Sequence, residues 1–387
     1  MLSIFKLPFF GRGFRPFFFL GALYGVFNIA IWGGFYAGMF SLPEGISDPI
    51  FWHAHEMIFG YTLAIVAGFL LTAVANWTGG APARQIHLAL LCVLWLLGRC
   101  VVTFNVGFPL WIVSTLESIF IPALAATLAI PLIRSWNKRN FVFLGILSIL
   151  FICDVWSLNT GEKTPLYIAL MMILIMVSLI GGRIIPAFTV AALRRSGISA
   201  FQTDQTKTDI AALISLAVTA LCLIFAQGTV ILSVAAFASF LIHAVRMRHY
   251  HSLKTLSDPL LWVLHAGYLW LVVGLFLMGL TGLGLFEIPM VIHAMTAGCI
   301  GSMTLGMICR VTLGHTGRDL VATRMTKISF ILIQCAAAIR TFGPLVLPIY
   351  TLEWIVTSSV LWTFCFAVYL VIYTPILMSG RPDGHEA

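Results

Sequence analysis

Twelve apolar runs, each long enough to cross a bilayer, leave this chain few folds to choose from. They fall at about 16–40, 51–76, 86–105, 109–133, 140–159, 164–185, 208–226, 229–246, 259–281, 287–311, 327–344 and 349–377. Inside hydrocarbon every backbone N–H and C=O must be satisfied within the protein, so runs of this length are read as helices. Only 9% of the residues are charged, against about 25% in an average soluble domain. The expected fold is an all-α membrane protein with twelve transmembrane helices. No stretch reads as a separate soluble domain, so residues 1–387 are taken as one multi-pass domain. The first run is too long for a signal-peptide core and lacks a small-residue cleavage site, so a retained first helix is expected.

Charge sets the orientation. With twelve spans, one set of connections and termini holds 17 of the 22 basic residues, and the opposite set holds only Lys163. The other four, Arg99, Arg183, Arg310 and Arg340, lie within runs. Basic loops stay cytoplasmic, so both termini are expected inside. The net charge of +8 follows from this asymmetry and calls for no nucleic-acid partner. All eight cysteines fall in apolar runs without a C-x-x-C, which argues against a disulfide framework or a zinc site.

An internal repeat is visible. The second run carries Gly60, Ala64 and Gly68, then Thr78-Gly79; the tenth carries Gly298, Ser302 and Gly306, then Thr316-Gly317. The offset is 238 throughout, and it also pairs His55 with His293 and Met57 with Met295. The sixth run fits an offset of 118 through Ser178, Gly182 and Pro186, with Ile173 in place of the histidine. The expectation is three four-helix repeats, approximately 1–133, 134–250 and 251–387, around a pseudo-three-fold axis. Small residues every fourth position let another helix or a flat ligand approach closely.

Ionisable groups inside a membrane are costly and mark function by default. His53-Ala54-His55-Glu56-Met57 opens the second run. Residues two apart on a helix point about 200° from each other, so His53 and His55 face different ways. His53 and Glu56 share a face and read as a pair, an imidazole with an orienting carboxylate or two ligands of one metal. His55 and His293 sit at matched depth in the outer half. They read as axial haem ligands, as copper ligands, or as interfacial histidines bonded to water or headgroups. Arg99 and Arg340 read as partners of haem propionates, or of the acids Asp154, Glu117 and Glu353. His265 and His315, toward the other side, offer a second metal site, a proton route or a solvated helix-end cluster. His87, His243, His249, His251 and His385 read as surface.

These residues also carry a resemblance. Phe14-Arg15-Pro16-Phe17-Phe18, Trp52-His53-Ala54-His55-Glu56-Met57, Asn76-Trp77-Thr78-Gly79, Gly182-Arg183-Ile184-Ile185-Pro186, Trp262-Val263-Leu264-His265-Ala266-Gly267-Tyr268 and Gly314-His315-Thr316-Gly317-Arg318 together resemble the NnrS family. The resemblance implies a bacterial inner-membrane protein with haem and copper, linked to nitric oxide metabolism and nitrosative-stress tolerance. The architecture also resembles, at a distance, the catalytic subunit of haem–copper oxidases. That subunit has three four-helix arcs and haem-ligating histidines on its second and tenth helices. Here the sixth and seventh runs contain no histidine, so the oxidase copper site has no counterpart. The resemblance carries no reaction. Redox chemistry on nitric oxide or iron–nitrosyl species, with an unnamed electron donor, therefore stands beside a secondary transporter and a non-catalytic metal-delivery or scaffold protein.

Overall fold

The structure is a computed structural model that describes residues 7–43, 45, 48–104 and 107–384; Lys6 and His385 lie outside the described residues. The described residues form helices and no strand. Among the described residues, twelve helices are long and apolar enough to span a membrane: α1 (Phe14–Tyr36), α2 (Pro49–Thr78), α3 (Gln85–Thr103), α4 (Leu110–Arg134), α5 (Lys138–Thr160), α6 (Thr164–Arg195), α7 (Thr206–Phe225), α8 (Val230–Met247), α9 (Pro259–Gly282), α10 (Ile288–His315), α11 (Arg324–Val346) and α12 (Pro348–Met378). Their number and order are those expected from the apolar runs.

Local chemistry sets the helix ends. Asp48 and Asp258 each precede a proline at the first helical position, and their carboxylates accept from the backbone N–H groups of Ile50 and Leu260. Gly79 closes α2 in the left-handed conformation, with φ of 65°.

Two compact units divide the chain. The first comprises Met1–Met172, Ile308–Leu320 and Phe366–Ala387; the second comprises Ile173–Met307 and Val321–Cys365. In the first, α1 packs on α2 through glycines. A Cβ at Gly21 would lie 2.8 Å from Ile65, and one at Gly60 would lie 2.5 Å from the Tyr24 ring. At Gly68 it would meet Phe18 at 2.9 Å. The glycines are what lets the two helices approach this closely.

In the second unit α9 packs on α10 in the same way. A Cβ at Gly267 would meet Met303 at 2.8 Å, one at Gly298 the Trp270 ring at 2.6 Å, and one at Gly306 Leu264 at 2.9 Å. Every α10 residue in these contacts is its α2 counterpart moved 238 positions, and every α9 residue is its α1 counterpart moved 246. The packing register of the two helix pairs is therefore the same.

The backbone carries the same signature. Both α2 and α10 change from α to π geometry for seven residues, at Glu56–Thr62 and at Ala294–Ile300. These segments too are 238 apart at both ends. In α2 the Thr62 hydroxyl donates to the Met57 carbonyl five residues back, at 2.7 Å. A π turn inside a helix is rare and recurs at functional sites.

Candidate metal centre

The first π turn begins at a carboxylate buried among charged neighbours. Glu56 is fully buried, and its carboxylate accepts three donors. His55 Nδ1–H donates to Oε1 at 2.8 Å, and Arg99 Nη1–H donates to the same oxygen at 2.7 Å. The Tyr24 hydroxyl donates to Oε2. The other terminal nitrogen of Arg99 donates to Glu117. His55 Nε2 lies 3.0 Å from Asp154 Oδ1. Five helices, α1 to α5, thus each contribute to one buried polar group.

The packing around it is aromatic. The His55 ring lies between Phe51 and Phe59, with centroids 5.8 and 5.0 Å away. The Arg99 guanidinium lies 6.0 Å from the Tyr24 ring and 5.9 Å from the Trp95 ring. Trp95 Nε1–H donates to the Gly60 carbonyl at 3.1 Å, a backbone oxygen within the π turn.

Charge does not balance in this group. Glu56, Glu117 and Asp154 bring three carboxylates, and Arg99 brings one fixed positive charge. With His55 neutral the sum is −2; with His55 protonated it is −1. An uncompensated buried charge costs several kcal/mol. The second carboxylate oxygens of Glu117 and Asp154 are buried and have no hydrogen-bond donor among the described residues. Protons held between the acids, or a divalent cation, would restore neutrality.

The donor set fits a cation. One ligand atom from each of His55, Glu117 and Asp154 lies within 4.8 Å of the others, and all three residues are buried. Two ligands each about 2 Å from a metal and at right angles to it stand about 3 Å apart, which matches the 3.0 Å between His55 Nε2 and Asp154 Oδ1. Imidazole with carboxylates suits divalent first-row ions, copper(II) among them. Glu56, held by its three donors, stands on the Nδ1 side of His55, where a carboxylate orients an imidazole from behind.

The other expected site residues fall elsewhere. The expected pairing of His53 with Glu56 gives way to His55–Glu56. His53 instead lies flat on the Trp32 indole, with centroids 4.2 Å apart and planes 11° apart. The side chain of Glu56 is drawn toward Tyr24 and Arg99 by their donors. Arg99 meets the protein acids Glu56 and Glu117, the alternative to propionates. In the second unit His293 is half-buried, and its Nδ1–H donates to the Pro289 carbonyl at 3.1 Å. Arg340 is half-buried in α11 of that unit. His265 is buried there between the hydroxyls of Thr189 and Ser252, each 2.9 Å from a ring nitrogen. His315 belongs to the first unit, with its ring 5.7 Å from that of Phe14.

A further expectation is overturned. His243 is fully buried, not on the surface. It shares a face of α8 with Ser239 and Arg246, and that face turns inward. The Tyr268 hydroxyl donates to His243 Nδ1 at 2.8 Å, and His243 Nε2–H donates to the Ala212 carbonyl at 3.1 Å. Arg246 donates to Tyr268 at 2.7 Å, to Ser178 at 2.9 Å and to Asp209 at 2.8 Å. The signal for this was the i, i+3 spacing of His243 and Arg246 at the end of an apolar run, opposite Asp209 at the start of another.

A sequence model of the family described as NnrS protein matches residues 8–381. Comparison with curated proteins returns no match. With nearly its whole length covered, the chain belongs to the NnrS family.

Proposed function

We propose that this membrane protein holds a divalent metal ion at His55, Asp154 and Glu117, and acts in nitric oxide metabolism or nitrosative-stress tolerance. The observation that carries the reading is the buried excess of carboxylate around one imidazole. The metal is copper by the family resemblance. A copper ion there supplies one-electron redox chemistry and a coordination position for a small ligand such as nitric oxide. His55 offers Nε2, because Glu56 takes the proton on Nδ1. Asp154 and Glu117 offer oxygens and offset the cation's charge. Arg99 holds Glu56 and Glu117 apart in fixed positions. Phe51 and Phe59 shield the imidazole.

Haem belongs to the same proposal, with His293 as its protein ligand. The Pro289 carbonyl takes the proton on His293 Nδ1, which leaves Nε2 as the basic nitrogen. Both nitrogens of His55 face carboxylates, so His55 fits the metal and not a haem axis. Arg340 retains its expected part as a counter-charge to an anionic group. The bacterial inner membrane is what the family resemblance implies, and the partition of basic residues supports both termini inside.

The test is metal analysis with an optical spectrum of detergent-purified protein. His55→Ala and Asp154→Ala should each lose copper and keep a Soret band. His293→Ala should lose or shift the Soret band and keep copper. Full copper content in Asp154→Ala would sink the assignment of the metal. Absence of nitric oxide consumption by the loaded protein, with reductant supplied, would favour a scaffold or delivery role.

A further inference from the structure

The ends of α1, α10 and α12 in the first unit carry a cluster of guanidinium groups that the metal centre does not use. Arg15 is wholly buried. Its Nη1–H donates to the carbonyls of Leu377 and Ser379, both at 2.7 Å. Arg318 donates to the Ser379 hydroxyl at 2.9 Å, and Arg381 to the His315 carbonyl at 3.0 Å. Three guanidiniums therefore converge on the last turns of two helices. Arg12 lies in the turn that leads into α1, where its carbonyl accepts from the Arg15 backbone N–H at 3.1 Å.

Helix ends explain part of this. A helix C-terminus carries about half a negative charge, so cations gather there. Two such ends do not balance four arginines. Asp383 pairs with Arg381 at 2.9 Å. Arg12, Arg15 and Arg318 have no carboxylate partner among the described residues. Moreover, Nε and Nη2 of Arg15 and Nε of Arg12 are out of contact with solvent and have no acceptor among the described residues. Leaving buried donors unmade costs free energy.

We propose that this cluster binds a phosphate-bearing anion, with Arg12, Arg15, Arg318 and Arg381 as its contacts. A tetrahedral oxyanion offers several acceptors at once, which suits planar forked donors arriving from different helices. The cluster lies where membrane helices end, on the side that collects the basic residues. Basic pockets between helix ends take anionic lipid headgroups. Free phosphate offers the same oxygens.

The experiment uses full-length protein in neutral detergent. Its thermal unfolding is followed while phosphatidylglycerol, phosphatidylcholine or inorganic phosphate is added. Phosphatidylglycerol should raise the midpoint and phosphatidylcholine should not. Because Arg15 caps α12 and its removal threatens folding, the variant is Arg12→Gln. It should raise the phosphatidylglycerol concentration for half-effect about five-fold. Arg139→Gln, an exposed basic residue elsewhere, should change it less than about two-fold. A response to inorganic phosphate alone, lost in Arg12→Gln, would uphold the site and make free phosphate its ligand. No response to either anion, or equal changes in Arg12→Gln and Arg139→Gln, would overturn the proposal.

Discussion

The α1–α2 pair and the α9–α10 pair share a packing register and a π turn but not a chemistry. Glu56 at the start of one π turn corresponds to Ala294 at the start of the other. Tyr24, which donates to Glu56, corresponds to Trp270. In place of the charged group, Trp270 Nε1–H donates to Gln334 Oε1 and Gln334 donates to the Ser302 hydroxyl, each at 2.9 Å. That network is neutral and satisfied within itself. The comparison separates two roles. The π turn and the glycine contacts shape a helix pair; the carboxylates and arginine make a site of it. A shared backbone irregularity is therefore not enough to infer a shared metal.

The largest expected contrast is between the polar keystones of the two pairs. Arg99→Leu leaves Glu56 and Glu117 buried without their cation and should cost about 3–5 kcal/mol. Gln334→Leu removes neutral hydrogen bonds and should cost about 1–3 kcal/mol. Unfolding of both variants in the same detergent measures this, and equal losses would break the comparison. Next, a chelator that strips the proposed ion should lower the unfolding midpoint of the wild type. With metal at a hundred times its dissociation constant the linked stabilisation is about 2.7 kcal/mol. Asp154→Asn should be insensitive to the chelator, whereas Gln334→Leu should respond like the wild type.

The shared part of the comparison has its own test. Gly60→Ala and Gly298→Ala each push a methyl against an aromatic ring, at 2.5 and 2.6 Å. Each should cost about 1–3 kcal/mol, and the two costs should be alike. A large difference would show that the register agreement hides different packing.

The smallest effect is at the helix starts. Asp48 accepts from the backbone N–H groups of Ile50 and Phe51 and pairs with Lys163 at 3.0 Å, whereas Glu287 makes no side-chain cap on α10. Asp48→Ala should cost about 1 kcal/mol and Glu287→Ala close to nothing. Partial burial raises the Asp48 carboxyl, but Lys163 and the two N–H groups outweigh it and hold the carboxyl below its ordinary range. The Asp48 contribution is thus fully present above the ordinary aspartate range and is lost as pH falls through the lowered value. An acid titration of wild type against Asp48→Ala should show the difference shrinking only at low pH.

Much of the fold was legible because hydrocarbon permits so little. Run length alone fixes the twelve helices, and the glycines at a constant offset mark the α1–α2 and α9–α10 contacts. The π turns were not legible, since no residue type enforces one; only the matched register makes them meaningful afterwards. At the site, the importance of His55, Glu56 and Arg99 could be read from the cost of burying them, and Glu117 and Asp154 were in view as partners for Arg99. Which imidazole meets Glu56 could not be read, because a regular helix favours the i, i+3 neighbour and the observed partner is i−1. His243 departs from its expected surface position for a related reason. Its place near a helix end mimics a surface, and only the inward turn of α8 reveals otherwise.

Arg15 links residues more than 360 positions apart, donating from the start of α1 to carbonyls at the end of α12. During biogenesis its acceptors are made more than 360 residues after it. At about 5–20 residues per second, α1 waits on the order of tens of seconds before that contact can form. Throughout that interval the first helix holds a guanidinium that its finished partner will bury. Closure of the first unit therefore waits on the synthesis of Leu377, and a chain truncated before it should meet the quality-control proteases with α1 still unanchored.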